Sequence, residues 1–375
     1  MKEKKKFDFG KTAFTVVFFL ICFTAGIISG TIFNKNPNLD DNPLYFIVLA
    51  LIFLSVYFVQ VTLHETGHLV FGLVTGYKFL SFRIGDLMIL KADGKIKIKK
   101  HSVAGTMGQC LLAPPEMNNG KIPYIAYNLG GVILNFLFSL AALIVFLKIK
   151  PEGWVYSMMV AFIYSGFATV ILNGIPFNNE LVTNDGYNAL VTGRSEQALR
   201  SFYYQLKINE ALSRGLRVKD MPSEWFALPS EEDKNNIMAS SGAVFYCNRL
   251  MDECDFEKAE KYMETFLNDG TSMIGVHRNL MICDLIYCKA ISGKAEEAQA
   301  LFDKKQKKFM NSMKKIPSVS RTEYVLALLC DEDLSKAEKA KKTFNKIART
   351  YPYPCDIESE RGLIATADSR AAKKQ

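Results

Sequence analysis

LYFIVLALIFLSVYFVQVTLHETGHLVFGLV, residues 44–74, holds no Asp, Lys or Arg and a single acid, Glu65. About 20 apolar residues cross the hydrocarbon core of a bilayer, so the stretch reads as a membrane span. Near its end stand His64, Glu65 and His68. An ionisable side chain inside a span costs on the order of a few kcal/mol unless a partner compensates, which makes such residues functional by default. On a helix, positions i and i+4 share a face. His64 and His68 can therefore offer two imidazoles to one Zn²⁺, with Glu65 beside it. The chain has 4 histidines and two lie here. A pair of packing histidines beside a chance glutamate is the bland alternative, and it leaves the cost of the charges unexplained.

Working outward, apolar runs at 12–34, 44–74, 122–148 and 154–176 are long enough to span, whereas residues 186–375 contain no such run. The basic start MKEKKK resembles a signal peptide, but the apolar stretch behind it is too long and lacks a small-residue cleavage site, so it reads as an uncleaved span. Lysines at the amino terminus and the basic loop from Lys78 to Lys121 place both on the cytosolic side, and four spans return the carboxyl-terminal half there. The expectation is an all-α polytopic membrane protein with about four transmembrane helices, a short β-hairpin or re-entrant loop, and a soluble α-helical repeat-like carboxyl-terminal domain. Its divisions are 1–43 (tail, first span and outer loop), 44–190 (membrane core) and 191–375 (cytosolic helical domain). Contact with the lipid bilayer accounts for much of the net charge of +8, and no nucleic-acid partner is expected. The 8 cysteines form no CxxC pair, as suits a reducing cytosol.

Two histidines leave a tetrahedral site one protein ligand short of a catalytic set. Asp185 follows the fourth span, which runs inward like the second, and Pro176 behind Asn173 and Gly174 can end that helix and turn the chain back. The competing reading is an Asx turn in which Asp185 caps the helix opening at Tyr187.

HETGH at 64–68, GGVILN at 130–135 and the ordered residues Asn173, Pro176, Asp185 and Gly186 together resemble the site-2 protease family of intramembrane zinc metalloproteases. The resemblance covers roughly residues 44–190. It implies Zn²⁺ held by His64, His68 and Asp185, Glu65 as general base toward a metal-activated water, and Asn135 and Asn173 positioning substrate. Asn135 also suits an interhelical hydrogen bond, and Asn173 a helix end. The stretch from Pro176 to Asp185 is longer than the family's tight form, with Asn184 where a leucine is usual, which keeps Glu180 open as an alternative ligand. The implied substrate is a membrane-spanning protein or peptide, whose helix must unwind to expose an amide. The other readings are a membrane-anchored zincin-like peptidase acting on water-exposed peptides, and a non-proteolytic scaffold.

The loop at 78–121 carries strand-forming runs around Ala92-Asp93-Gly94, so a hairpin able to pair with extended substrate is expected, or else a basic membrane-surface loop. His101 finds no ligand partner in the pattern. In the second half Ala259, Ala298 and Ala337 recur every 39 residues, each near the start of an amphipathic helix. This resembles tetratricopeptide repeats, whose period is roughly 34, and suggests a protein partner for that domain. His277 reads as structural.

Overall fold

The computed structural model describes residues 9–34, 43–92, 94–102, 106–178 and 183–374. The lysines at 2–6 and the outer loop at 35–42 lie outside the described residues. The chain forms two compact units, Met1–Gly76 with Pro123–Leu190, and Tyr77–Ile122 with Val191–Gln375.

The first unit is built from α1 (Phe9–Asn34) and α2 (Pro43–Val74), together with α3 (Tyr124–Ile149), α4 (Gly153–Gly174) and the start of the short α5 (Asp185–Thr192). Three helices are long and apolar enough to cross a membrane: α2 from Ile47 to Val74, α3 and α4. In α1 the apolar stretch among the described residues is the shorter Phe19–Ile28, so three helices, not four, meet that measure.

The burial pattern of these helices is the reverse of a water-soluble bundle. On α3 the buried residues are Tyr127, Asn128, Gly130, Gly131, Asn135 and Ser139, and on α4 they are Ser157, Ala161 and Gly166. Large apolar side chains point outward instead, among them Leu51, Leu54, Leu137 and Val155. Surrounded by lipid, helices gain nothing by hiding leucine, so small residues that allow close approach take the interface and polar groups bond across it. Gly67 and Gly130 show this most directly, since a Cβ on either would collide with the other's backbone carbonyl.

The second unit opens with four antiparallel strands, β1 (Lys78–Ile84), β2 (Leu87–Ala92), β3 (Lys95–Lys100) and β4 (Gly108–Ala113), in the order β3-β2-β1-β4. Two-residue turns link β1 to β2 and β2 to β3, with Gly85 and Gly94 at positive φ as such hairpins require. Both faces of the sheet carry buried residues, Met88 and Leu90 on one and Cys110 and Leu112 on the other. The segment Tyr77–Ile122 falls in the second compact unit, between two stretches of the first along the chain. The hairpin expected at Ala92-Asp93-Gly94 is the β2–β3 pair, and β3 is an outer strand of a larger sheet.

Helices complete the second unit: α6 (Glu196–Ser213), α7 (Ser241–Asp252), α8 (Phe256–Asn268), α9 (Gly275–Ile291), α10 (Ala295–Leu301), α11 (Lys304–Ser312), α12 (Pro317–Val325, continued by a π-helical turn to Cys330), α13 (Leu334–Ala348) and α14 (Pro354–Lys374). Three antiparallel pairs stand out, α7 with α8, α9 with α10 and α12 with α13. Cys254, Gly293 and Glu332 sit at positive φ in the turns between the members of each pair. Asp255 and Asp333 cap α8 and α13 by accepting from Lys258 N and Lys336 N. Ala259, Ala298 and Ala337 lie on the second helix of each pair, all buried in one core with Leu285, Tyr287 and Phe344. Side chains this small let the paired helices approach closely.

Candidate metal centre

The site lies where α2, α3 and the start of α5 meet. His64 and His68 stand one turn apart on α2 with the same outlook, both buried. His64 Nε2 is 2.8 Å from Asp185 Oδ2, His68 Nε2 is 3.4 Å from the same oxygen, and the two Nε2 atoms are 3.3 Å apart. Three potential ligand atoms thus converge from residues more than a hundred positions apart in sequence, and the group could hold a metal ion.

The outer hydrogen bonds decide which ring nitrogens are free. Asn135 Nδ2 donates to Gln60 O at 3.0 Å and to Gln60 Oε1 at 2.7 Å, which fixes the amide's orientation and turns Oδ1 toward His64 Nδ1 at 2.8 Å. His68 Nδ1 lies 2.7 Å from the carbonyl oxygen of Tyr127. Both acceptors can only accept, so both Nδ1 atoms carry the hydrogen and both Nε2 atoms present lone pairs. Two lone pairs and a carboxylate facing one another at these distances repel unless a cation sits among them. Oriented imidazoles of this kind, each tied through its far nitrogen, are the usual outer shell of a metal site. The donor set fits a metal.

Asp185 is ready for that role. Its Oδ2 is the oxygen that faces both Nε2 atoms. A metal-ligating carboxylate must be ionised.

The path from α4 to Asp185 explains why an overlong connection still delivers the ligand. Asn184 Oδ1 accepts from Phe177 N at 2.9 Å and from Tyr187 N at 3.0 Å. Its Nδ2 donates to Leu172 O at 2.7 Å and Ile175 O at 2.6 Å. One side chain therefore caps α5, satisfies carbonyls left open at the end of α4 and closes the base of the excursion 178–183, whose ends pair as Asn178 with Thr183. The two sides of the connection are thereby brought together, and Asp185 returns to the end of α4. Gly186 completes the junction, because a Cβ there would strike the Gly174 carbonyl. Asp185 does not serve as the α5 cap; Asn184 does. Glu180, the alternative ligand, lies outside the described residues.

Glu65 is the neighbour of His64 on the same helix and is buried at 8 % exposure. Asn135, expected to position substrate, is fully buried with both ends of its amide committed to His64 and Gln60, so it acts by holding His64. Asn173 is not drawn into the cluster: its Nδ2 donates to Thr169 O one turn back on α4 at 3.2 Å. Two contributors escaped the motif reading. Gln60 is wholly buried, donates from Nε2 to Phe162 O at 2.8 Å and so ties α4 to Asn135 and His64. Its signal was present, a glutamine four residues before His64 in an apolar span. The Tyr127 carbonyl left none, since any residue supplies one. Asn135→Ala should weaken metal affinity by about 10–100-fold with the helices intact, as loss of an outer-shell partner commonly does. Competition against a fluorescent zinc chelator checks this.

A second acidic group, Glu260, Glu264 and Glu297, also brings its oxygens close together. Lys289 Nζ already lies among them, at 3.2, 2.6 and 2.6 Å respectively, so the ammonium takes the place a cation would. His101 rests edge-on against the Tyr351 ring, apart from the cluster.

No family model, curated protein or solved structure matches the chain. Fold and site by themselves define a mostly helical protein with three helices apolar enough to span a membrane and a buried two-histidine, one-aspartate cluster able to hold a metal ion.

Proposed function

We propose that this chain is an intramembrane zinc metalloprotease that hydrolyses a peptide bond in or near a membrane-spanning segment of a substrate. The observation that carries the reading is the convergence of His64 Nε2, His68 Nε2 and Asp185 Oδ2 with both Nδ1 atoms already committed. Two imidazoles and one carboxylate are a donor set of catalytic zinc sites, which keep a further position open. Bound there, Zn²⁺ would supply Lewis acidity that lowers the pKa of water toward neutrality and polarises a scissile carbonyl.

The chain's own residues supply the rest. His64, held by Asn135, and His68, held by the Tyr127 carbonyl, fix the ligand directions. Glu65 accepts the proton of the attacking water and returns it to the leaving amine. The small and polar interface of α2, α3 and α4 keeps the site rigid and buried. A substrate helix must unwind to offer its amide, since a hydrogen-bonded helical peptide group is closed to attack. Asn173 has no part in this scheme, because its amide is bonded within α4.

In this reading α1 is a fourth span, and the basic residues at both ends of the β-sheet segment and at the amino terminus set the cytosolic side. The three helical pairs from α7 to α13 are read as tetratricopeptide-like repeats. Their support is the recurring buried alanine and the positive-φ turn residue before it.

Metal removal tests the reading. Purified full-length protein in lipid nanodiscs should contain one zinc per chain, cleave a single-span substrate, lose cleavage in 1,10-phenanthroline and regain it on adding zinc. Cleavage that survives complete metal removal would overturn the proposal.

A further inference from the structure

A cavity of about 490 Å³ lies within the second unit, walled by β4, α6, α7, α9, α12 and α14. Pockets of this size hold small molecules or a few residues of a peptide. Two features of its lining point to one kind of occupant.

The first is a set of side-chain amides without partners. Gln109 on β4, Gln205 and Asn209 on α6 and Asn248 on α7 all line the cavity, and none has a hydrogen-bond partner among the described residues. Each amide offers both a donor and an acceptor, the complement of a peptide group. Spread over three elements, they match successive peptide groups of an extended chain, more than the two ends of one amino acid would engage.

The second is charge. The carboxyls of Asp252, Asp284, Asp356 and Glu360 face the cavity with only two guanidinium groups, Arg217 and Arg321. Arg321 pairs with Asp284 and Glu360, and Arg217 with Asp252. Asp356 is left over, with no hydrogen-bond partner among the described residues. Burial, reinforced by Glu360 and Asp252, pushes its carboxyl up to about 7. His277, the other group on the wall able to carry positive charge, is held below its usual pKa by burial and does little to offset the acids. A half-buried carboxyl without a partner, set beside other acids, is best met by a cationic group.

We propose that this cavity binds an extended peptide segment carrying a lysine or arginine, with the side-chain amides holding the peptide groups and Asp356 the basic side chain. The inference is independent of the metal centre.

The test uses full-length protein in nanodiscs and fluorescein-labelled hexapeptide pools, randomised except for one position fixed as Lys, Gly or Glu, read by anisotropy. The wild type should bind the Lys pool at least about tenfold more tightly than the Glu pool. Asp356→Asn should erase that preference while its melting temperature stays level or rises, since it removes an unpaired, half-buried acid set among other carboxyls. Gln205→Leu with Asn209→Leu should weaken every pool, and Glu65→Gln should bind like the wild type, so loss of catalysis does not mimic loss of this site. Absence of saturable binding to any pool would overturn the proposal. So would a Lys preference that persists in a folded Asp356→Asn protein, or spermidine displacing the peptides as well as unlabelled Lys peptide does, because a polyamine makes no use of the amides.

Discussion

Glu65→Gln should abolish cleavage of a membrane-spanning substrate, with a rate lower by at least about 10²–10⁴-fold, the usual contribution of a general base. The substitution is nearly isosteric and removes only the ability to take a proton. Because Glu65 is not among the converging ligand atoms, the variant should bind zinc with the stoichiometry of the wild type. It should also melt at the same temperature or slightly higher, since a buried carboxylate is replaced by a neutral amide. Cleavage of a single-span substrate and zinc content must be measured on one preparation. Equal processing by wild type and variant would remove Glu65 from the mechanism. Loss of zinc together with activity would make it a structural support of the site instead.

The second large effect is expected at a residue with no chemistry of its own. A Cβ on Gly131 would stand 2.7 Å from both Cε1 and Nδ1 of His64, inside van der Waals contact with a ring whose Nδ1 is hydrogen-bonded to Asn135. Neither partner has room to yield. The ring is tied to Asn135, and the α3 backbone at the preceding Gly130 is pressed against Gly67. Gly131→Ala should therefore displace His64, abolish stoichiometric zinc binding and cost about 1–3 kcal/mol of stability, the range for inserting one methyl group into a filled core. Gly26→Ala, on α1 with open space around its added Cβ, is the control and should leave zinc content unchanged. A Gly131→Ala protein with full zinc occupancy would show that α2 and α3 are free to separate, contrary to the packing described here.

Much of this arrangement could be read from residue order alone, because it depends on local periodicity. Apolar runs of span length give helices, and HETGH on one of them aligns two imidazoles by helical geometry. Two-residue turns with Gly85 and Gly94 give hairpins, and alanines at a constant interval fall on equivalent buried helical positions. Asp185 could be nominated as a ligand on the direction of the chain, yet nothing local distinguished it from a helix cap.

That distinction, and the remainder of the site, arose only in three dimensions. Asn184 proved to be the cap because its four hydrogen bonds link two helices and the base of an excursion, partners found only when α4 and α5 meet. Asn135 looked available to a substrate until Gln60, distant in sequence, occupied its amide. Gly130 and Gly131 stand side by side in the sequence, but that one accommodates a backbone carbonyl and the other an imidazole follows from which helix lies opposite. The affiliation of residues 78–121 with the second unit was likewise undecided by span counting, since a sheet segment joins whichever partner buries its apolar face. Periodicity is a property of neighbours along the chain, whereas a ligand's orientation and a cavity's unpaired groups depend on residues that meet only after folding.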